Sequence, residues 1–223
     1  MPIGPQQRIE REASADEPAR MTPLRELQLL EAHRRGDPQA VGELLGAYQR
    51  RLYAICYRMV RHEQDARDLT QDAMVKVLEG LDTYDGRSKL STWIIRVTMN
   101  CCLSHLRKQR LRRHGSIEGD WPRGLSGPSG PDPGVGELSP FRSVEQTEMH
   151  DILSRALHCL DPDMRAALVL RDMQGLEYHQ IAEVLDIPLG TVKSRLFRAR
   201  VALRNAVEVE TGRGTAGDEP KSG

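Results

Sequence analysis

Aromatic side chains are scarce in this chain: two Trp, five Tyr and two Phe among 223 residues. With so few, and with 19 Gly and 13 Pro, small helical domains with flexible joints are expected in place of one thick core. Long apolar runs are missing too. Met1 to Arg20 is polar, charged and interrupted by proline, so it reads as neither a leader peptide nor a membrane span, and a cytoplasmic protein is expected. The four cysteines, Cys56, Cys101, Cys102 and Cys159, lack CxxC spacing or a paired framework. They are expected as buried thiols in a reducing compartment, with a redox pair of Cys101 and Cys102 as the alternative. The seven histidines show no HExxH or clustered-ligand spacing, so neither a metal nor another cofactor is expected.

The most informative absence is local. Lys and Arg balance Asp and Glu at 32 each, yet acid is missing altogether from Gly86 to Ile117 and from Ile187 to Val207. The first stretch holds Arg87, Lys89, Arg96, Arg107, Lys108, Arg110, Arg112 and Arg113; the second holds Lys193, Arg195, Arg198, Arg200 and Arg204. Two separate basic faces suit two grips on a polyanion, most simply nucleic acid.

Half the positions from Gly119 to Pro140 are Gly or Pro, a composition that cannot offset its chain entropy by burial and reads as a linker. The expected organisation is all-α: a tail over 1–22, a helical domain over 23–113, a flexible linker over 114–143, a second helical domain over 144–207 and a tail over 208–223. In the first domain, Leu45, Tyr48, Leu52, Ile55, Cys56 and Met59 predict a helix from about Ala40 to Arg61. A helix from about Gln64 to Leu81 follows, burying Ala66, Leu69, Ala73, Val77 and Leu81 and exposing Asp65, Asp68, Gln71, Asp72 and Glu79. Thr83 to Lys89 reads as a turn, and Ser91 or Thr92 as the cap of a long helix ending near Arg113.

The second domain is expected to open with a helix from Val144 to Leu160. Asp161 and Pro162 then start a helix that Gly175 ends. Helices from Tyr178 to Leu185 and from Leu189 to about Val207, joined by a turn at Asp186 to Pro188, form a helix-turn-helix pattern. Projected at about 100° per residue, Val192, Leu196, Ala199 and Leu203 of the last helix face the core. Ser194, Phe197, Arg198 and Val201 face away, with Lys193 and Arg204 on the flank. A phenylalanine facing outward beside Arg and Ser suits a major groove, where the ring meets a thymine methyl and the cations take guanine edges. The competing reading is a solvated basic face with Phe197 packed on another helix. Arg195 and Arg200 lie near the core seam and suit phosphate contact or local pairing better than base reading.

These residues resemble a known family. Tyr178, Ile181, Ala182, Glu183, Leu185, Ile187 and Pro188, then Gly190 to Leu196 and Arg198 to Arg200, look like region 4 of the extracytoplasmic-function (ECF) sigma factors. Asp65, Ala66, Asp68, Leu69, Gln71 and Asp72, then Gly86, Ser91, Thr92, Trp93, Ile95, Arg96 and Asn100, resemble region 2. The resemblance implies two helical domains that dock on core RNA polymerase, with Asp68, Gln71 and Asp72 meeting the clamp coiled coil of its largest subunit and a further contact to the polymerase flap. An ordinary solvated helix face is the alternative for those three. It also implies that Arg87, Lys89, Trp93, Arg96, Asn100, Arg107 and Lys108 capture and melt the −10 element, although Trp93 suits a core position equally well. Thr191, Lys193, Ser194, Arg195, Phe197 and Arg198 would read the −35 element. An anti-sigma factor is an implied partner, and no covalent chemistry is implied. Glu177 and Asp186 depart from the family, standing where a Ser or Thr cap and a turn Gly are frequent.

The linker of about 30 residues spans roughly 95 Å extended and about 30 Å as a coil. A promoter spacer of about 16 to 19 base pairs measures roughly 55 to 65 Å, so the linker can bridge two elements without fixing their distance. The function implied is a sigma initiation factor. A free-standing helix-turn-helix regulator is the alternative, and would need a dimer face or ligand pocket in the first domain.

Overall fold

The computed structural model describes residues 21–114 and 144–211. The expected linker, apart from His114, and most of both expected tails lie outside the described residues. Those described form eight α-helices and contain no strand. By internal packing the chain divides into two compact units between Tyr48 and Gln49.

The first unit contains α1 (Pro23–Arg34) and the start of α2 (Pro38–Val60). The sequence reading placed no helix at α1, although its start carries a clear signal. The Thr22 hydroxyl accepts from the Arg25 amide at 3.2 Å, and Pro23 occupies the first turn, where no amide hydrogen is needed. Leu29, Leu30, Ala40, Leu44 and Tyr48 are buried. Leu44, not Leu45, is therefore the fully buried leucine of this turn. Glu26 is buried as well and accepts a hydrogen bond from the Tyr48 hydroxyl.

In the second unit α3 (Glu63–Gly80) buries Ala66, Leu69, Ala73 and Val77 on one side, as its periodicity predicts. A 3₁₀ turn, Leu81–Thr83, leads toward α4 (Leu90–His114). The helix begins before both expected caps: the Trp93 amide donates to the Lys89 carbonyl at 3.0 Å, so Ser91 and Thr92 sit inside the first turn, and Thr92 is buried.

Next come α5 (Val144–His158) and α6 (Pro162–Leu168). Asp161 caps α6, its carboxylate accepting from the Asp163 amide at 2.9 Å. The expected single helix to Met173 instead widens after Leu168 into a π turn over Val169–Met173, and Gly175 closes it at φ +68°. α7 (Tyr178–Leu185) and α8 (Leu189–Glu210) complete the fold. Asp186 between them takes the left-handed conformation, φ 53° and ψ 52°, which Asp tolerates better than most residues. At Glu177 the missing hydroxyl cap is partly replaced, because the Gln180 side chain accepts from the Glu177 amide at 2.9 Å.

One contiguous apolar cluster joins Met59, Ile95, Met99 and Cys102 to Leu160, Leu168, Leu176, Ile181 and Leu196. α4 packs against α3 on one side and against α7 and α6 on another. Arg165 is buried at this junction, and burial lowers its pKa to about 10. Its guanidinium donates to the carbonyls of Leu157, His158 and Leu160 at 3.2, 2.8 and 3.1 Å, and to that of Met59.

Cys56, Cys101 and Cys102 are buried, as expected. Cys159 is exposed. Cys102 does not pair with its chain neighbour; its Sγ lies 3.6 Å from Cys56 Sγ on α2, and both are fully buried. That thiol contact, followed by burial, pushes the Cys102 pKa well up.

Candidate nucleic-acid interface

The outward face of α8 is built by its own periodicity. Val192, Leu196 and Ala199 are buried against the rest of the unit, and Leu203 is half-buried. The opposite side therefore presents Ser194, Phe197, Arg198 and Val201, with Lys193 exposed on the flank and Thr191 half-exposed in the first turn. Phe197 is 71% exposed, a large cost for a ring with only water to meet. Beside it lies a cleft of about 370 Å³ lined by Tyr178, Leu196, Phe197 and Val201 and edged by Lys193, Arg200 and Arg204. The Ser194 hydroxyl donates to the Thr191 carbonyl at 3.0 Å, a local bond within the helix.

Two arginines of α8 are engaged elsewhere. Arg195 pairs with Asp163 at 3.2 Å and Arg200 with Asp172 at 2.9 Å. Of the two readings the sequence leaves for them, local pairing is the arrangement observed. Arg200 also neighbours Tyr178, whose ring carries the Arg171 guanidinium 5.1 Å from its centroid. Asp172 stands first among the causes that raise the Arg200 pKa. The sequence reading did not single out either carboxylate, because the partners are 32 and 28 residues apart and fall into register only through the packing of α6 on α8.

A second basic surface runs along α4. Trp93, Arg96, Asn100 and Arg107 recur at spacings of three, four and seven, which places them on one helix face. Asn100, Arg107 and Lys108 are exposed, and Arg96 is half-buried. Trp93 is half-buried and packs on Tyr84, with ring centroids 5.5 Å apart. Its indole lies so close to Gly80 that a Cβ there would meet Cζ2 at 3.0 Å. Arg87 and Lys89 sit apart in the preceding loop, both exposed, with Arg87 paired to Asp85 at 3.0 Å and Gly86 at φ +74°.

The third surface is the acidic side of α3. Asp68, Gln71 and Asp72 are exposed on one face, and Gln64 donates to Asp68 at 2.9 Å. Val75 and Leu78 extend this face and are 47% and 45% exposed. These two apolar residues escaped the sequence reading; the signal was their position on the polar side of the helical pattern. Among the described residues no three His, Cys, Asp or Glu side chains gather as metal ligands, and no helix is long and apolar enough to cross a membrane.

Comparison with known proteins fits this arrangement. Residues 44–112 match the Sigma-70 region 2 family and residues 150–203 match Sigma-70, region 4. The RNA polymerase sigma-H factor of Pseudomonas aeruginosa is 32% identical over 190 residues, 84% of this chain and 96% of the relative. The ECF RNA polymerase sigma-E factor of Escherichia coli is 34% identical over 181 residues, 81% and 93% of the two chains. Similar folds occur in the sigma factor RpoE of Bartonella quintana, solved with the anti-sigma factor NepR, and in CnrH, solved with the cytosolic domain of CnrY. Each has a TM-score of 0.57, at 23% and 20% identity, covering 77% and 84% of this chain and 99% and 97% of those chains. An exposed helix-turn-helix face, a basic helix beyond an acidic one, and relatives aligned across nearly their full lengths lead to one assignment: this chain belongs to the ECF group of the sigma-70 family of RNA polymerase sigma factors.

Proposed function

We propose that the chain binds core RNA polymerase in the cytoplasm and directs it to promoters, with the work divided among three surfaces. Residues 23–113 act as the unit for polymerase binding and −10 capture, and residues 144–207 as the unit for −35 reading. The observation that carries this reading is the bare Phe197 ring beside the exposed Lys193 and Arg198 of α8. A solvated helix gains nothing from such a ring, whereas a major groove offers it a thymine methyl and offers Lys193 and Arg198 guanine acceptors. Thr191 and Ser194 supply short hydroxyls on the same face, and Arg195 remains tied to Asp163 unless DNA phosphate competes for it.

On α4, Arg96 and Asn100 contact bases of the opening strand, with Arg87 and Lys89 approaching from the loop. Arg107 and Lys108 follow phosphates toward the duplex. Strand opening draws on binding energy that favours unstacked over stacked bases, so the protein needs no covalent chemistry of its own. Trp93, held between Gly80 and Tyr84, supports the backbone from which these groups project. Asp68, Gln71 and Asp72, with Val75 and Leu78 extending the face beyond them, form a surface of mixed acid and apolar character suited to a polymerase helix pair. A partner that silences the factor, of the anti-sigma kind, would have to cover one of these surfaces.

The test is run-off transcription from a genomic promoter library with purified core enzyme, with and without the chain. Transcripts that require the chain and share two upstream elements are expected, and Arg198→Ala should abolish them while general duplex affinity falls only a few fold. A chain that yields no dependent transcripts, or an Arg198→Ala loss equal on every sequence, would overturn the assignment of α8.

A further inference from the structure

Two thiols meet in the apolar core. Cys56 of α2 and Cys102 of α4 are both fully buried, and the Cys102 thiol donates toward Cys56 Sγ at 3.6 Å. A buried cysteine packed only on hydrocarbon is chemically inert. Here each sulfur has the other as its neighbour, across 46 positions of sequence.

We propose that Cys56 and Cys102 form an oxidation site, which a small hydroperoxide converts into an internal disulfide that joins α2 to α4 and shuts off promoter opening. The shut-off rests on the reading of α4 as the −10-binding helix. Cys101 is not the partner. Neighbouring side chains on a helix diverge by about 100°, and Cys101 Sγ is turned toward α3, where it accepts from Lys76 Nζ at 3.5 Å. Cys159 is exposed and lies outside the pair.

The contact makes the two sulfurs unequal. The hydrogen bond from Cys102 lowers the Cys56 pKa, with burial opposing it and the Thr70 hydroxyl adding to it. Cys56 is therefore the attacking thiolate. Its sulfur takes one oxygen from the peroxide: the S–O bond forms, the O–O bond breaks, and the departing hydroxide leaves as water with the proton Cys56 gave up. The Cys102 sulfur then attacks the Cys56 sulfur. The S–S bond forms, the S–O bond breaks, and hydroxide leaves as a second water with the Cys102 proton. Two thiols lose two electrons, and one hydrogen peroxide becomes two waters. An oxidant close to water in size reaches the pair through local opening. Glutathione disulfide would have to bring a peptide against two fully buried sulfurs.

A disulfide holds its sulfurs about 2.05 Å apart, so the present gap must close by about 1.5 Å. Ile55, Met59, Ile95 and Met99 of the same cluster are fully buried, and a close-packed interior passes such a movement to its helices. Cys102 follows Asn100 by two positions on α4. The groups proposed to take the opening strand therefore move with it.

The test uses the full-length chain with Cys159→Ser, which removes the exposed thiol. Hydrogen peroxide should give a monomer lighter by two hydrogens, and peptide fragmentation should place the bond between Cys56 and Cys102. Cys101→Ser should still form the bond, and Cys102→Ser should not; the bond mapped in the parent depends on neither variant folding. Oxidised glutathione at equal concentration should form it at least tenfold more slowly. With peroxide removed before core polymerase is added, promoter-dependent transcription should be at least fivefold lower for the oxidised chain and return with dithiothreitol. Thiols that stay free, a bond to Cys101, or equal rates with both oxidants would overturn the oxidation site. Full transcription by the disulfide form, or a loss that dithiothreitol does not reverse, would overturn the shut-off. If the reduced chain directs no transcription, it is the proposed function that fails, while the mapped bond still decides the oxidation site.

Discussion

The carboxylate of Asp163 holds the Arg195 guanidinium at 3.2 Å, drawing a cation of α8 back against α6. The pair is partly exposed, so it contributes little to stability, about 0 to 1 kcal/mol. On the proposed reading of α8, its larger effect would be to withhold one positive charge from DNA. Asp163→Asn should raise affinity for nonspecific duplex about two- to fivefold and steepen the salt dependence by about one counterion. Titrations at several salt concentrations measure both. Adding Arg195→Ala should cancel the gain; a gain that persists in the double variant would show that Asp163 acts by bulk charge alone.

Asp68 and Gln71 lie one turn apart on the acidic face of α3, and neither is buried. Asp68→Ala with Gln71→Ala should therefore leave the fold intact. Affinity for core polymerase should fall tenfold or more, in keeping with a cost of about 1 to 2 kcal/mol for truncating interface anchors. Val75→Ser should weaken the same complex without changing net charge, which separates apolar contact from electrostatic steering. Equal binding by all three chains would remove this face from the interface.

A methyl group at Gly80 would press on the Trp93 indole. Its Cβ would stand 3.0 Å from Trp93 Cζ2 and 3.2 Å from Cη2. Elsewhere in a helix a change from Gly to Ala stabilises by roughly 0.5 to 1 kcal/mol; here overpacking should outweigh that and cost about 1 to 3 kcal/mol. In a Trp121→Phe background, Gly80→Ala should also shift Trp93 emission toward the red as the ring is displaced from Tyr84. Unfolding curves and spectra that match the parent would show that the ring has slack.

His158 is held neutral: burial foremost, then the Arg165 charge, lowers its pKa to about 3. Its Nδ1 lies 2.9 Å from the Ser154 carbonyl, and its Nε2 is buried without a partner. An unfolded chain takes up a proton near pH 6.5, whereas the folded chain does not until about pH 3. Stability is therefore fully present above pH 6.5 and is lost as pH falls toward 3. By pH 5.5 the loss should be about 1.4 kcal/mol. His158→Leu should flatten this part of the denaturation profile; an unchanged slope would locate the acid sensitivity in another group.

Caps and punctuation made most of the fold legible. Asp161 with Pro162, Gly175, and the Asp186 turn each bias backbone angles locally, so their elements begin and end near the expected residues. The outward set on α8 was legible for the same reason, since helical phase alone separates Val192 and Leu196 from Ser194 and Phe197. What was not legible depends on contacts distant in sequence. Nothing near Arg195 announces Asp163, nothing near Cys102 announces Cys56, and Arg165 looks like any surface arginine until Met59 is folded over it.

The π turn at Val169–Met173 inserts one more residue into a helical turn than an α-helix would hold. Every side chain after it is thereby re-indexed by about 100° relative to the helix before it. Asp172 reaches Arg200, and Arg171 reaches Tyr178, within this widened turn. Deletion of Val169 or Leu170 alone would preserve the charge of this turn, yet rotate the side chains after it to a different azimuth. Length in this short segment is thus a coordinate of the exposed face of α8, as specific as the identity of any side chain on it.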